Sequence, residues 1–290
     1  MLDSQLSSQP VVDPPPAHLM HVRIQRSQGW AALNLHELWE YRELLYLLTW
    51  RDIKVRYKQT ALGGAWAVVQ PVMLMIVFSL FFGKLLNAPS DGVPYPVFTF
   101  CALLPWQLFA YALTQSGNSL VNSQQLLTKV YFPRLIIPVA AVLSGLVDFA
   151  IAFVVLLGLM LWYGIVPTLA VLTLPLFVLL AVATALAVGL WLAALNVQYR
   201  DVRHTIPFLT QFWLFATPVA YATSIVPAQW RILYGLNPMV GVVEGFRWAL
   251  LGHTAGSLPL ALLSAIIVGL LLFGGLVYFR RMEQTFADVV

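Results

Sequence analysis

Long apolar runs separated by short polar connectors fill the chain from about residue 64 onward. The runs at 64–86, 97–121, 136–163, 169–196, 206–224 and 258–279 each approach the ~20 residues that cross a bilayer as helix. They predict six spans. Pro71 inside the first run removes a backbone donor and predicts a kink. Thr217-Pro218 in the fifth predicts a bend or break near its outer end. Ahead of the spans, Leu38, Tyr41, Leu45 and Leu48 recur at helical spacing, with Glu37, Glu40 and Glu43 largely on the other side. That pattern predicts an amphipathic helix lying in a membrane interface or against a partner. It runs into a basic collar, Arg51, Lys54, Arg56 and Lys58, suited to anionic headgroups.

The expected organisation is therefore a flexible Pro-rich tail at 1–35, an interface helix with its collar at 36–60, and a membrane domain at 61–285. Within that domain, 225–257 is unusual. Its apolar patches are too short to span and are interrupted by Pro227, Asn237-Pro238, Gly241, Gly245 and Gly252. A re-entrant pair of short helices, covered by protein, accounts for this pattern better than a polar loop.

Composition agrees with the pattern. Apolar residues make up 60% of the 290 and charged residues only 10%, with a mean hydropathy of +0.81. Soluble domains carry about 25% charged residues, so a soluble enzyme and a disordered chain are both excluded. The net charge of +4 reads as positive-inside asymmetry, not as a nucleic-acid surface. Cations gather before the first span, at Lys129 and Arg134, at Arg200 and Arg203, and at Arg280 and Arg281; the opposite side has only Lys84, Arg231 and Arg247. Both termini are expected in the cytoplasm.

Chemistry of its own is sparse. His36-Glu37 lacks the second histidine of H-E-x-x-H, no phosphate-cradling glycine motif occurs, and Cys101 is the sole cysteine. No signal peptide is expected, and the pattern yields no catalytic residue and no metal site. The connector after the second span holds Gln124, Leu126, Leu127, Lys129, Tyr131, Phe132 and Arg134, a mixed polar and apolar knob that reads as a docking surface. Asp148 lies in mid-span, where a charge is costly; a structural hydrogen bond to another helix and a proton- or sodium-coupling site are the alternatives. Glu244 and Arg247, three apart, can neutralise each other across a helical turn. Phe208, Phe212 and Phe215 share one helix face, and Phe78, Trp106 and Phe109 lie in the first two spans. Such rings either pack against protein and lipid or stack on sugar faces.

Four segments, in order around six spans, carry a family resemblance. They are Arg51-Asp52-Ile53-Lys54-Val55-Arg56-Tyr57-Lys58 with Leu62-Gly63 and Trp66, then Tyr131-Phe132-Pro133-Arg134, then Tyr199-Arg200-Asp201-Val202, and last Leu236-Asn237-Pro238 with Glu244-Gly245-Phe246-Arg247. Over roughly 36–285 the chain resembles the permease subunit of type-2 ABC exporters for polysaccharides, which move lipid-linked O-antigen, capsule or teichoic acid. The resemblance implies an all-α polytopic fold with an N-terminal interface helix, six membrane helices and a re-entrant pair before the last. It implies a homodimer docked on two ATP-binding cassette subunits, with ATP and Mg bound on those subunits and no cofactor in this chain. The knob at 122–134 then looks like the coupling helix, and the aromatics look like the wall of a sugar channel. Arg51, Lys54, Arg56 and Lys58 would meet the headgroup of an undecaprenyl-linked polysaccharide, in a bacterial inner membrane. The rivals are a drug or small-molecule exporter of the same architecture, a proton-coupled transporter using Asp148, and a membrane-embedded acyltransferase, for which no convergent nucleophile and base are visible.

Overall fold

A computed structural model describes residues 39–58, 63–252, 257–283 and 286. The tail at 1–35 and the start of the interface helix at 36–38 lie outside the described residues. Every regular element among the described residues is helical. Five helical stretches are long and apolar enough to cross a membrane: Gly63–Leu85, Tyr95–Asn122, Ile136–Trp162, Leu169–Gln198 and Pro259–Glu283. They fall on five of the six predicted runs, and the chain is a multi-pass membrane protein.

In chain order, α1 (Arg42–Lys58) precedes α2 (Trp66–Phe78), which continues into a wide π-helical turn at Ser79–Leu85. Next come α3 (Tyr95–Asn122), the six-residue α4 (Gln124–Lys129), α5 (Ile136–Trp162) and α6 (Leu174–Gln198). The short α7 (Val202–Phe215), α8 (Arg231–Gly235) and α9 (Pro238–Leu251) lead to the last helix, α10 (Ser257–Glu283).

The centre of the body is α3, packed against α5, α6, α2, α7 and α9. Residues Val97 to Trp106 are buried without interruption, so this helix is apolar all round because protein surrounds it. By contrast α2 and α10 leave most of their apolar side chains outward, as lipid-facing helices do. Close approach depends on missing side chains. A β-carbon at Gly245 of α9 would overlap the Phe177 ring of α6, and one at Gly189 of α6 would overlap Ser116 of α3.

The fifth predicted run is not among the five long stretches, and its helix ends just ahead of Thr217-Pro218, where the sequence predicts a bend or break. Its helix begins earlier, at Val202, and ends at Phe215. Fourteen residues rise only ~21 Å, less than the ~30 Å hydrocarbon core. Thr217-Pro218 follows at once, and proline cannot extend the helix. Residues 216–222 are irregular, and the short helices α8 and α9 follow.

Candidate functional site

The knob is α4 with the non-helical residues that follow it. Ser123 separates it from α3, and Pro133 stops it before α5. Its outer surface carries Gln124, Gln125, Thr128, Lys129, Val130 and Tyr131, with Tyr131 78% exposed. Its inner side corrects the sequence reading. Leu127 and Phe132 are buried in a second apolar cluster with Leu48 of α1, Leu120 of α3 and Phe279 of α10, so they anchor the knob and do not present it. Leu126 is half-buried at the edge of that cluster. Arg134 also turns inward: its backbone N–H donates to Glu283 Oε1 at 3.2 Å, and its guanidinium donates to the Glu283 carbonyl.

Beside the knob, α1 turns an aromatic and basic face outward. Trp39, Tyr46 and Trp50 are exposed, Tyr46 and Trp50 stack at 6.5 Å, and the Lys54 ammonium lies 5.3 Å from the Trp50 ring. Leu47, Trp50, Arg51, Lys54, Val55 and Lys58 line an open groove of about 390 Å³. Aromatic rings and cations side by side suit a headgroup region.

Arg56 does not belong to that collar. It points into the body, forms an ion pair with Asp148 of α5, and lies 3.9 Å from the ring centroid of Tyr111 on α3. Tyr57 donates to the other Asp148 oxygen, and Tyr111 and Ser144 share a hydrogen bond of 3.1 Å. Asp148 thus has a cation and a phenol as partners, which offsets the cost of a carboxylate among apolar helices. Partial burial, followed by the hydrogen bond to Asp148, pushes the Tyr57 phenol up to about 12 from the ordinary 10.0.

A second polar centre holds the broken segment together. Arg247 of α9 pairs with Glu244 at 3.1 Å and donates to the carbonyls of Tyr221 at 3.3 Å and Val219 at 3.2 Å. Its guanidinium lies 3.7 Å from the Phe98 ring centroid, and Thr223 donates to Glu244 at 2.5 Å. Asn237 caps α9 by accepting from the Met239 N–H at 3.0 Å, with Pro238 at the first helical position. The same side chain accepts from Trp213 at 2.8 Å and donates to the Ala216 carbonyl at 3.0 Å. Irregular backbone packed against α3 is tolerated because these groups satisfy its carbonyls.

The aromatic residues divide sharply. Phe208, Phe212 and Phe215 are 71%, 65% and 60% exposed along one strip of α7, while Trp213 on the other side packs edge-on against Phe109 at 5.0 Å. Trp106, Phe109 and Phe78 are buried in the main core, so they are packing residues and do not line an open surface of this chain. Sequence reasoning missed Gln211, exposed on the same strip at three residues from Phe208 and four from Phe215. It also missed the partners of Asp148 and the role of Glu283. Among the described residues, no three His, Cys, Asp or Glu side chains converge to hold a metal ion.

Apolar helices long enough to cross a membrane, joined by the short exposed α4 segment and a run of short helices, make this a multi-pass membrane protein. The chain belongs to the ABC-2 type transporter family, whose sequence profile matches residues 43–251. It is 33% identical over 261 residues to the O-antigen export system permease protein RfbA of Myxococcus xanthus, covering 88% of this chain and 98% of that protein. An RfbA permease of Klebsiella pneumoniae is 27% identical over 251 residues, covering 86% and 95%. The polysialic acid transport protein KpsM of Escherichia coli is 26% identical over 250 residues, covering 83% and 93%.

Proposed function

We propose that this chain is the membrane-spanning permease of an ATP-driven exporter that carries lipid-linked polysaccharide, O-antigen in type, outward across a bacterial inner membrane. The observation that carries this reading is the likeness to an O-antigen export permease along 98% of that relative. Capsular polysaccharide is the second reading, favoured by the likeness to polysialic acid transport proteins. In this account two copies enclose the sugar path and each docks on an ATP-binding subunit that holds the ATP and Mg. Both termini are cytoplasmic, α7 is a broken fifth span, and α8 and α9 dip into the outer leaflet and return. Phe208, Phe212 and Phe215 supply flat faces on which a sugar chain can slide. Lys54, Lys58 and Arg51 meet the anionic headgroup.

Knob residues 124–131 transmit the ATPase stroke, which an exposed Tyr131 on an anchored base supports. The ion pair holding Asp148 supports a structural role over proton coupling. The test is to purify the chain with the ATP-binding subunit it captures and to follow export of an undecaprenyl-linked glycan in proteoliposomes. Tyr131→Asp should abolish export while leaving folded protein at the parent level, because the side chain it replaces is 78% exposed. Export that persists with an intact complex would sink the coupling assignment.

A further inference from the structure

The last helix ends against the knob. Both Glu283 oxygens are engaged: Oε1 accepts the Arg134 backbone N–H at 3.2 Å, and Oε2 accepts from Arg280 at 3.1 Å. Arg280 therefore fixes the carboxylate one turn back on its own helix, aimed at the segment that leaves the knob. The Arg134 guanidinium returns to the Glu283 carbonyl and lies 5.9 Å from the Phe286 ring. Phe286 packs edge-on against Phe279 at 5.4 Å, and both rings are fully buried beside Leu127 and Phe132.

From the end of the knob to α5 the backbone is irregular, over Val130 to Leu135, with Val130 extended. A push on the knob would be absorbed by such a connector unless something stiffened it. Glu283 grips the connector at Arg134, immediately after Pro133.

We propose that Glu283 is a positioning residue that joins the knob and α10 into one mechanical unit, so that knob displacement reaches the last helix as well as α5. This rests on the reading of the knob as the ATPase-docking element. The α10 end would then be a second output of the stroke.

The experiment uses the complex with its ATP-binding subunit in proteoliposomes. For the distance measurement alone, spin labels go on Lys129→Cys and Arg281→Cys, both exposed positions, while the native Cys101 is fully buried; hydrolysis and export are read on unlabelled chains. In the parent chain the distance between labels should stay the same when nucleotide is trapped with ATP and vanadate. In Glu283→Ala the distance should shift or broaden on trapping, ATP hydrolysis should persist, and glycan exported per ATP hydrolysed should fall about tenfold, the scale of losing a charged hydrogen bond. Glu283→Gln keeps the acceptor for the Arg134 N–H and should retain most of the export; a residue that merely stabilises the α10 end through its charge would not be rescued this way. A parent distance that changes on trapping overturns the inference, whether or not the alanine variant folds. So does Glu283→Ala with parental export per ATP. If the parent chain captures no ATP-binding subunit, the docking reading fails, and this inference with it.

Discussion

Among the arginine–carboxylate pairs of the described helices, two are built in opposite ways. Glu244 and Arg247 stand three residues apart on one helix, with side chains only 6% and 2% exposed. Arg56 and Asp148 are 92 positions apart on different helices and remain 26% and 28% exposed. The first pair turns its spare donors to the carbonyls of Val219 and Tyr221, so it completes the hydrogen bonding of a broken segment. The second braces α1 against α5 and sets its cation on the Tyr111 face. Burial decides what each is worth. Removing one member of a dry pair strands a charge, whereas a pair in partial contact with its surroundings is screened.

The largest effect is therefore expected at Arg247. Arg247→Met should leave Glu244 buried without its cation and Val219 and Tyr221 without donors, costing about 3–5 kcal/mol. Thermal melting of the purified protein in lipid would read this as a large drop in folded fraction. Adding Glu244→Gln should recover much of the loss, because the stranded charge and not the lost attraction dominates. A double variant as unstable as the single one would assign the cost to the carbonyls instead.

The contrast also separates what the residue pattern exposes from what it hides. The Glu244–Arg247 pair was legible because a spacing of three places both groups on one helical turn. Asp148 was visible as a costly mid-span charge, but Arg56 counted with the collar until tertiary packing turned it inward. The five long spans were legible because ~20 apolar residues have few other uses. In the fifth run the apolar pattern continues past Phe215, where the helix ends, and the pattern could not show that groups beyond it are satisfied by Asn237 and Arg247, 20 or more residues away. The aromatics show the same limit. Trp106 and Phe109 have helical spacing much like that of Phe208 and Phe212, yet α3 is enclosed on all sides and α7 on one. In the knob, composition pointed to a mixed polar and apolar surface, but only the apolar cluster beneath it shows that Leu127 and Phe132 anchor while Tyr131 projects.

A smaller effect is expected at the half-buried pair. Asp148→Asn keeps acceptor and donor atoms near Tyr57 and Arg56, and should lower stability by about 1 kcal/mol. ATP-dependent export should be reduced, not abolished. A double cycle with Arg56→Met measures the pair directly and should return a smaller coupling than the Glu244–Arg247 cycle. Complete loss of transport in a folded Asp148→Asn complex would instead make Asp148 a proton-coupling site, and the likeness between the two pairs would end at their geometry.

The smallest effect is the most specific. The Tyr57 phenol donates to Asp148, and its folded-state value of about 12 lies above the ordinary 10.0. A group whose value rises on folding stabilises fully below its unfolded value and loses that contribution as pH climbs through the folded one. The Tyr57 contribution should thus be constant below pH 10 and disappear between pH 10 and about 12. Because the ring is only half-buried, it should amount to less than about 1 kcal/mol. Comparing melting of the parent and Tyr57→Phe across that range isolates it from the other titrating groups. The parent's advantage should shrink only in the alkaline window, and tyrosinate absorbance should show one late-titrating tyrosine fewer in the variant. A difference that stays flat through pH 12 would mean that Tyr57 braces α1 by packing alone, leaving the Arg56–Asp148 pair to tie α1 to α5.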